Sequence, residues 1–213
     1  MHQEELKSHK NKTSLLFFLP FFIFLISCDS NRELPIFGER ELDLNGDTLY
    51  HVIPSFSFTN QFGKQVSETD YEGKVYVADF FFTTCPGTCP VMSNSLFRVQ
   101  EAFKSSKEPV HMLSHTVDPE TDQPKVLLEY GTEKGADFTK WNFVTGSKRL
   151  LYEQAAKYLV VAQEDVTSEL HFIHSDKLVL IDRSGRIRGM YSGVNEKEVD
   201  QLIEDLKIVL TEK

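Results

Sequence analysis

The chain has 213 residues, 40% hydrophobic and 26% charged, an ordinary globular composition with room for one domain, a sizeable core and short extensions. Its formal net charge is −9, and no basic cluster lies beyond the extreme N-terminus, so nucleic-acid binding is excluded as a main role. The acidity serves solubility and favours a cationic partner.

Lys7, Lys10 and Lys12 precede an apolar run from Leu15 to Ile26 that is broken only by Pro20. A positive region followed by about a dozen apolar residues is the pattern of a secretory signal, too short to span a bilayer comfortably. The run ends Leu25-Ile26-Ser27-Cys28, which resembles a bacterial lipoprotein signal, where the cysteine is lipidated and becomes the first residue. A signal peptide is therefore expected over residues 1–27, a lipidated Cys28 with a polar, turn-rich tether over 28–47, and a folded domain over 48–213. The corresponding location is the bacterial cell envelope, anchored by lipid to a membrane and facing the periplasm. A plain membrane anchor is the alternative.

From Thr48 to Val66, alternating apolar residues around Asn60-Gln61-Phe62-Gly63-Lys64 predict a β-hairpin. Val75–Phe82 is an apolar, β-branched and aromatic run that predicts a buried strand. Val91–Phe103 predicts a helix, with Met92, Leu96, Val99 and Phe103 at spacings of three and four and Pro90 at the first helical position. Pro109–Val117 predicts the next strand, and after Asp118–Pro124 a helix carries Val126, Leu127, Leu128 and Tyr130. A short strand follows at Asn142–Val144 and a helix at Ser147–Leu159. Lys177–Asp182 and Ile187–Tyr191 form a second hairpin, turning at Arg183-Ser184-Gly185-Arg186. The last helix has Asn195 as its cap, Glu198 where a capping box wants an acid, and one stripe of Val199, Leu202, Ile203, Leu206 and Leu210. A βαβ unit followed by an antiparallel ββα unit makes an α/β sandwich.

The chemistry gathers between the first buried strand and its helix, in Phe82-Thr83-Thr84-Cys85-Pro86-Gly87-Thr88-Cys89-Pro90. With Cys28 assigned to the signal, Cys85 and Cys89 are the only cysteines left in the soluble part. A helix N-terminus stabilises a thiolate, and cysteines four residues apart on a helix lie one turn apart, close enough to share a metal ion or to form a disulfide. Thiolates are soft ligands that favour Cu(I), zinc or iron–sulfur chemistry. Two buried structural cysteines, or a plain structural disulfide, are the simpler reading. Outside the cytoplasm such a pair oxidises unless a reductant or a metal protects it. Redox-capable cysteines at this junction point to a thioredoxin-like α/β sandwich with an N-terminal β-hairpin extension.

Of seven histidines, His2 and His9 leave with the signal, and His51, His111 and His115 lie in strand-like runs. The exception is Leu170-His171-Phe172-Ile173-His174-Ser175-Asp176, just before the second hairpin. In a thioredoxin-like sandwich the loop entering that strand lies beside the first strand–helix junction. His174 then stands as the candidate third ligand, with His171 as its substitute and a structural histidine as the plain alternative. Two thiolates and an imidazole make a copper site for either oxidation state.

Three stretches resemble the Sco/SenC family, which serves cytochrome oxidase assembly. Phe82–Pro90 is similar to its CPxxCP site, Val117–Pro124 to its VDPExDTP segment, and His174 with Asp182 to its HSxxxxLID run. The likeness covers roughly Pro54 to Leu210. It implies a thioredoxin-like fold and copper held by Cys85, Cys89 and His174. It also implies delivery to the binuclear copper site of cytochrome c oxidase subunit II, through a metallochaperone that is not an enzyme. Gly87 departs from the acidic residue that many members carry between the cysteines. The family also includes thiol–disulfide exchange on the partner's cysteines, which would use Cys85 and Cys89 as a redox pair with a thiol reductant protein as a further partner. Ordinary thiol oxidoreductases use CxxC and need no remote histidine. A peroxiredoxin is a weaker rival, because its threonine stands three residues before the cysteine, where this chain has Phe82.

Overall fold

The computed structural model describes residues 32–164 and 172–212, without the side chains of 163, 164 and 172–174. Eleven strands and four α-helices follow in order: β1 (Arg40–Leu42), β2 (Thr48–Tyr50), β3 (Ser57–Asn60), β4 (Gln65–Ser67), β5 (Tyr76–Phe81), α1 (Thr88–Ala102), β6 (His111–Thr116), α2 (Pro124–Glu133), β7 (Trp141–Thr145), α3 (Lys148–Lys157), β8 (Ala162–Glu164), β9 (Phe172–His174), β10 (Lys177–Ile181), β11 (Ile187–Ser192) and α4 (Glu196–Thr211).

Seven strands form one sheet in the order β11-β10-β5-β6-β7-β3-β4. β5, β6 and β7 run parallel at its centre, as crossover helices require, and β10 and β3 pair antiparallel on either side. All six residues of β5 are buried, because the sheet is covered on both faces. Alternation sends Phe80 to one face, stacked on His115 at 4.6 Å and edge-on to Tyr158 at the end of α3. Phe81 goes to the other, against Tyr130 of α2. α1 shares that second face, its Ser93 hydroxyl 2.8 Å from the Tyr130 hydroxyl. α4 packs beside α1, with Arg98 bonded to Asp200 at 2.6 Å and the Ser95 hydroxyl donating to the Gly193 carbonyl. This is the thioredoxin-like sandwich that the element order suggests.

Two readings need correction. The hairpin expected over Thr48–Val66 is two structures: Thr48–Tyr50 belongs to a separate hairpin with Arg40–Leu42, while β3 and β4 close around Gln61–Lys64 and join the main sheet through β7. Three-residue strands are too short to carry an alternation signal, which is why β1, β8 and β9 escape a reading by periodicity. The residues after Asn31 are also more than a tether. Leu34 is buried, Arg32 pairs with Asp205 at 3.1 Å, and the Phe37 amide donates to Ile187. The buried Arg188 donates to the carbonyls of Leu34 and Pro35 and pairs with Asp182 and Glu212. One guanidinium thus fastens the start and end of the described chain to β11.

At α4 the cap is as read, with the Asn195 side chain accepting from the Lys197 amide at 3.1 Å. Glu198 differs: its carboxylate takes the Ser192 amide at 2.6 Å and the Asn195 side-chain amide at 3.0 Å, tying the helix to the end of β11.

Candidate thiol and metal centre

β5 delivers the chain to the site. After Phe81 the backbone turns, with the Cys85 amide donating to the Phe82 carbonyl at 3.3 Å, and α1 begins at Thr88 with Gly87 as its cap. Pro90 therefore sits third in the helix, not first. The first N–H groups of a helix have no partner within it, so proline is tolerated anywhere in the first turn and marks that turn rather than its opening residue. Cys85 consequently precedes the helix, while Cys89 lies inside it. The pair does not share a helix face; Cys85 faces the open end of the helix instead.

Both cysteines are buried and neither is in a disulfide. Their environments differ. Burial opposes the Cys85 thiolate, but the backbone amides of Cys89 and Gly87, with the Cys89 thiol and the Thr88 hydroxyl, outweigh it and set its pKa below the ordinary thiol value. Thr88 Oγ1 stands 4.0 Å from the Cys85 sulfur. For Cys89, burial pushes the pKa far up, and the neighbouring Cys85 and Asp79 push it further, with the Phe82 backbone in opposition. The two sulfurs are therefore unequal: Cys85 gives up its proton more readily than an ordinary thiol and Cys89 less readily.

The loop between β5 and α1 is held by a residue from another loop. Asp122 is fully buried and accepts the Thr83 amide at 3.1 Å, the Thr83 hydroxyl at 2.5 Å and the Thr116 hydroxyl at 2.5 Å. Burial raises its pKa and the two threonines oppose that rise. The second motif stretch thus braces the first.

Asp79 was not singled out from the sequence, though a lone acid in an apolar strand run is the available signal. It is 1% exposed, and its Oδ1 has no hydrogen-bond partner among the described residues. Burial pushes its pKa up to about 7, against a bond with Ser114. On the neighbouring strand His115 is also fully buried, its Nδ1 3.3 Å from the Asp79 carbonyl. Burial drives its pKa down to about 3, so it is a neutral core ring, matching the plain reading of that histidine. His111 is likewise pushed down to about 4, by burial first and then by Lys74 and Lys140.

His174 ends β9, whose pairing with β8 sets His174 opposite Ala162, and the next amide, of Ser175, donates to Val161. β10 starts three residues later and runs antiparallel to β5, with Val179 opposite Ala78. Continued back, that register brings the start of β10 to the end of the sheet where β5 leads into Cys85. The backbone of His174 thus enters the sheet at the cysteine end. Its side chain, and the whole of His171, lie outside the described residues. Among the described residues no cluster of three His, Cys, Asp or Glu side chains gathers for a metal.

A thioredoxin-like domain with two buried, unequal cysteines at its first strand–helix junction carries the donors that thiol or soft-metal chemistry needs. Comparison with known proteins narrows it. The family model for SCO1/SenC matches residues 46–211, and the chain belongs to that family. A SCO1 protein homologue of Bacillus subtilis is 32% identical, over 90% of this chain and 94% of its own. The crystal structure of a SCO1/SenC family lipoprotein from Bacillus anthracis is similar at a TM-score of 0.69 and 31% identity, over 74% of this chain and 94% of its own. BsSco, a member of the Sco family of cytochrome c oxidase assembly proteins with a disulfide switch, matches at 0.68 and 32%, over 76% and 95%. A copper-bound ScoI of Bradyrhizobium japonicum matches at 0.62 and 25%, over 74% and 99%.

Two measurements check this geometry. Replacing Asp122 with Asn puts a donor where three donors converge, so stability should fall by about 1–3 kcal/mol, and alkylation of Cys85 at neutral pH should slow as its amide donors loosen. Denaturant unfolding of the reduced protein, with peptide mapping of the alkylated cysteines, reads both; unchanged values would remove Asp122 from the role.

The second concerns pH. Asp79 binds its proton up to about pH 7 in the fold but only to about pH 4 when unfolded. Between those values the native state holds the extra proton, so stability falls as pH rises and levels off above the upper value. In Asp79→Asn that fall should be shallower, read from denaturation midpoints of the reduced, metal-free protein across the window.

Proposed function

We infer that this protein is a copper-binding assembly factor for cytochrome c oxidase, with copper as its cargo and the binuclear copper site of subunit II as its destination. The observation that carries the reading is the unequal thiol pair, Cys85 beside the open N-terminus of α1 and Cys89 buried behind it, in a chain of the SCO1/SenC family. Relatives crystallised with copper, and one described as an oxidase assembly protein, support it.

Cys85 and Cys89 supply two soft sulfur donors and His174 the imidazole that Cu(II) prefers, a set suited to both copper oxidation states. Cys85, with its lowered pKa, gives up its proton more readily than Cys89. Cys89 must lose its proton on binding, so uptake is coupled to proton release chiefly at that sulfur. A Cys28 lipid anchor, supported by the Bacillus anthracis lipoprotein neighbour, would keep the domain at the membrane that holds the oxidase. Among the described residues no helix is long and apolar enough to cross a membrane.

The same inequality favours a second reading, thiol–disulfide exchange on the partner's copper-site cysteines. There the Cys85 thiolate attacks a partner disulfide, forming a mixed disulfide and releasing one partner thiolate. Cys89, giving up its proton, then displaces the second partner sulfur, leaving the partner reduced and Cys85–Cys89 oxidised. A thiol reductant protein would reset it.

His174→Ala separates the two. The reduced variant should keep weakened Cu(I) binding, because two thiolates suffice for a low-coordinate ion, and should lose the coloured Cu(II)–thiolate absorption. Under copper delivery, cells carrying it lose oxidase activity and regain part of it with added copper. Under thiol exchange they assemble oxidase nearly normally, whereas Cys85→Ser cells do not. Equal copper loading of the reduced and disulfide forms would sink the site itself.

For the anchor, Cys28→Ser should leave the signal uncleaved and the protein without acyl chains. Intact mass measurement of both forms decides it, and a mature wild-type protein starting elsewhere would refute lipidation.

A further inference from the structure

Among the described residues thirteen large apolar side chains are exposed, and six of them, Phe37, Leu42, Leu44, Leu49, Tyr50 and Val52, fall within residues 37–52. Three crowd the tip of the β1–β2 hairpin. Leu42 ends one strand, Leu49 lies in the other, and Leu44 stands fully exposed in the turn between them. The register puts Leu42 and Leu49 on opposite faces of the ribbon, so its outer end is apolar on both sides. The turn is well formed, with the Asp43 carboxylate accepting the Asn45 and Asp47 amides at 2.8 Å. Leu44 is therefore presented by an ordered turn, where an apolar residue gains nothing from water.

The hairpin also has a fixed base. The His51 amide donates to Glu39, the Ile53 amide to Gly185, the Phe37 amide to Ile187, and the His51 ring meets the Lys157 carbonyl at 2.8 Å. Gly185 and Ile187 flank the end of β10 that pairs with the start of β5, where Ile181 is opposite Tyr76. This is the end of the sheet away from Cys85.

The short link between Cys28 and the fastened Arg32 argues for what covers the tip. Arg32 is tied to Asp205, and Leu34 and Pro35 to Arg188. Between Cys28 and Arg32 lie only three residues, a reach of at most about 14 Å when extended. Resting on the lipidation of Cys28 proposed above, we propose that the Leu42–Leu44–Leu49 tip is a second membrane contact, seated in the lipid interface, with the Cys85–Cys89 end of the sheet held away from the bilayer. The neighbouring Asp47 suits the ammonium groups of zwitterionic headgroups. The tip alone is too small to bind lipid, but the anchor makes its contact intramolecular, so a weak affinity is enough. With β5 six residues long, the cysteines stand about 20 Å or more beyond the hairpin base, within reach of a domain projecting from the membrane rather than of the membrane itself.

The test uses lipidated full-length protein in phosphatidylcholine vesicles, with a tryptophan placed by Leu44→Trp or, as a control at the opposite end of the sheet, by Val194→Trp. Leu44 and Val194 are both exposed, so neither change disturbs the fold, and the only native tryptophan, Trp141, is buried and gives a constant background. Vesicle flotation is scored on the same samples. The expected result is flotation of both variants, with the Leu44→Trp emission shifted to shorter wavelength and quenched by brominated acyl chains several-fold more than that of Val194→Trp. Flotation with equal quenching would overturn the tip contact while leaving the anchor standing. Failure to float would overturn the anchor and with it this inference. Protection of the residue-44 tryptophan only in vesicles carrying membrane proteins would assign the tip to a protein partner and equally overturn it.

Discussion

A thiolate can be held at the end of a helix only if the donors facing it stay still, and here the stillness comes from one buried carboxylate. Asp122 gathers three hydrogen bonds from Thr83 and Thr116, locking the last residues before Cys85 against the loop that follows β6. Its burial raises the cost of the charge, and the convergent donors are what make the charge tolerable. Everything else at the site inherits this geometry: the turn at Phe82–Cys85, the opening of α1 at Thr88, and the approach of its first amides to the Cys85 sulfur.

The same rules of burial and donor geometry act in opposite directions on two cysteines four residues apart. Cys85 lies ahead of the helix, where the amides of Gly87 and Cys89 point at its sulfur. Cys89 lies within it, facing the apolar sheet and the carboxyl of Asp79. A carboxyl whose pKa sits near neutrality changes the charge that Cys89 feels across the physiological range, and the burial that shifts it also keeps it from water. Asp79 thereby links the ionisation of the inner sulfur to the interior of the sheet rather than to solvent.

How much of this could be read from the sequence depends on the length scale of each signal. The runs at β5, β6 and α4 were legible because burial imposes a pattern over many residues, and the cysteine motif because its residue types are chemically unusual. The hairpin of β1 and β2 was not, since its strands are three residues long and exposed on both sides, so nothing forces alternation. The start of α1 was displaced because Pro90 is compatible with any position in a first turn. Asp122 stood inside a recognised segment, but its partner Thr83 is 39 residues away in sequence, and no local pattern reports a bond of that span. Asp79 is the instructive miss: in a buried run the polar residue carries the information and the apolar ones do not.

β10 links the two ends of the molecule. It begins just after His174, at the level where β5 hands over to the cysteines, and ends at Ile181, next to Asp182, which pairs with Arg186 and Arg188 beside the fastened N-terminal segment. A strand buried from Leu178 to Ile181 between β5 and β11 transmits position without slack, because a slip of one residue would turn every side chain to the wrong face. Cysteine chemistry is thus confined to one edge of a rigid sheet and chain attachment to the other.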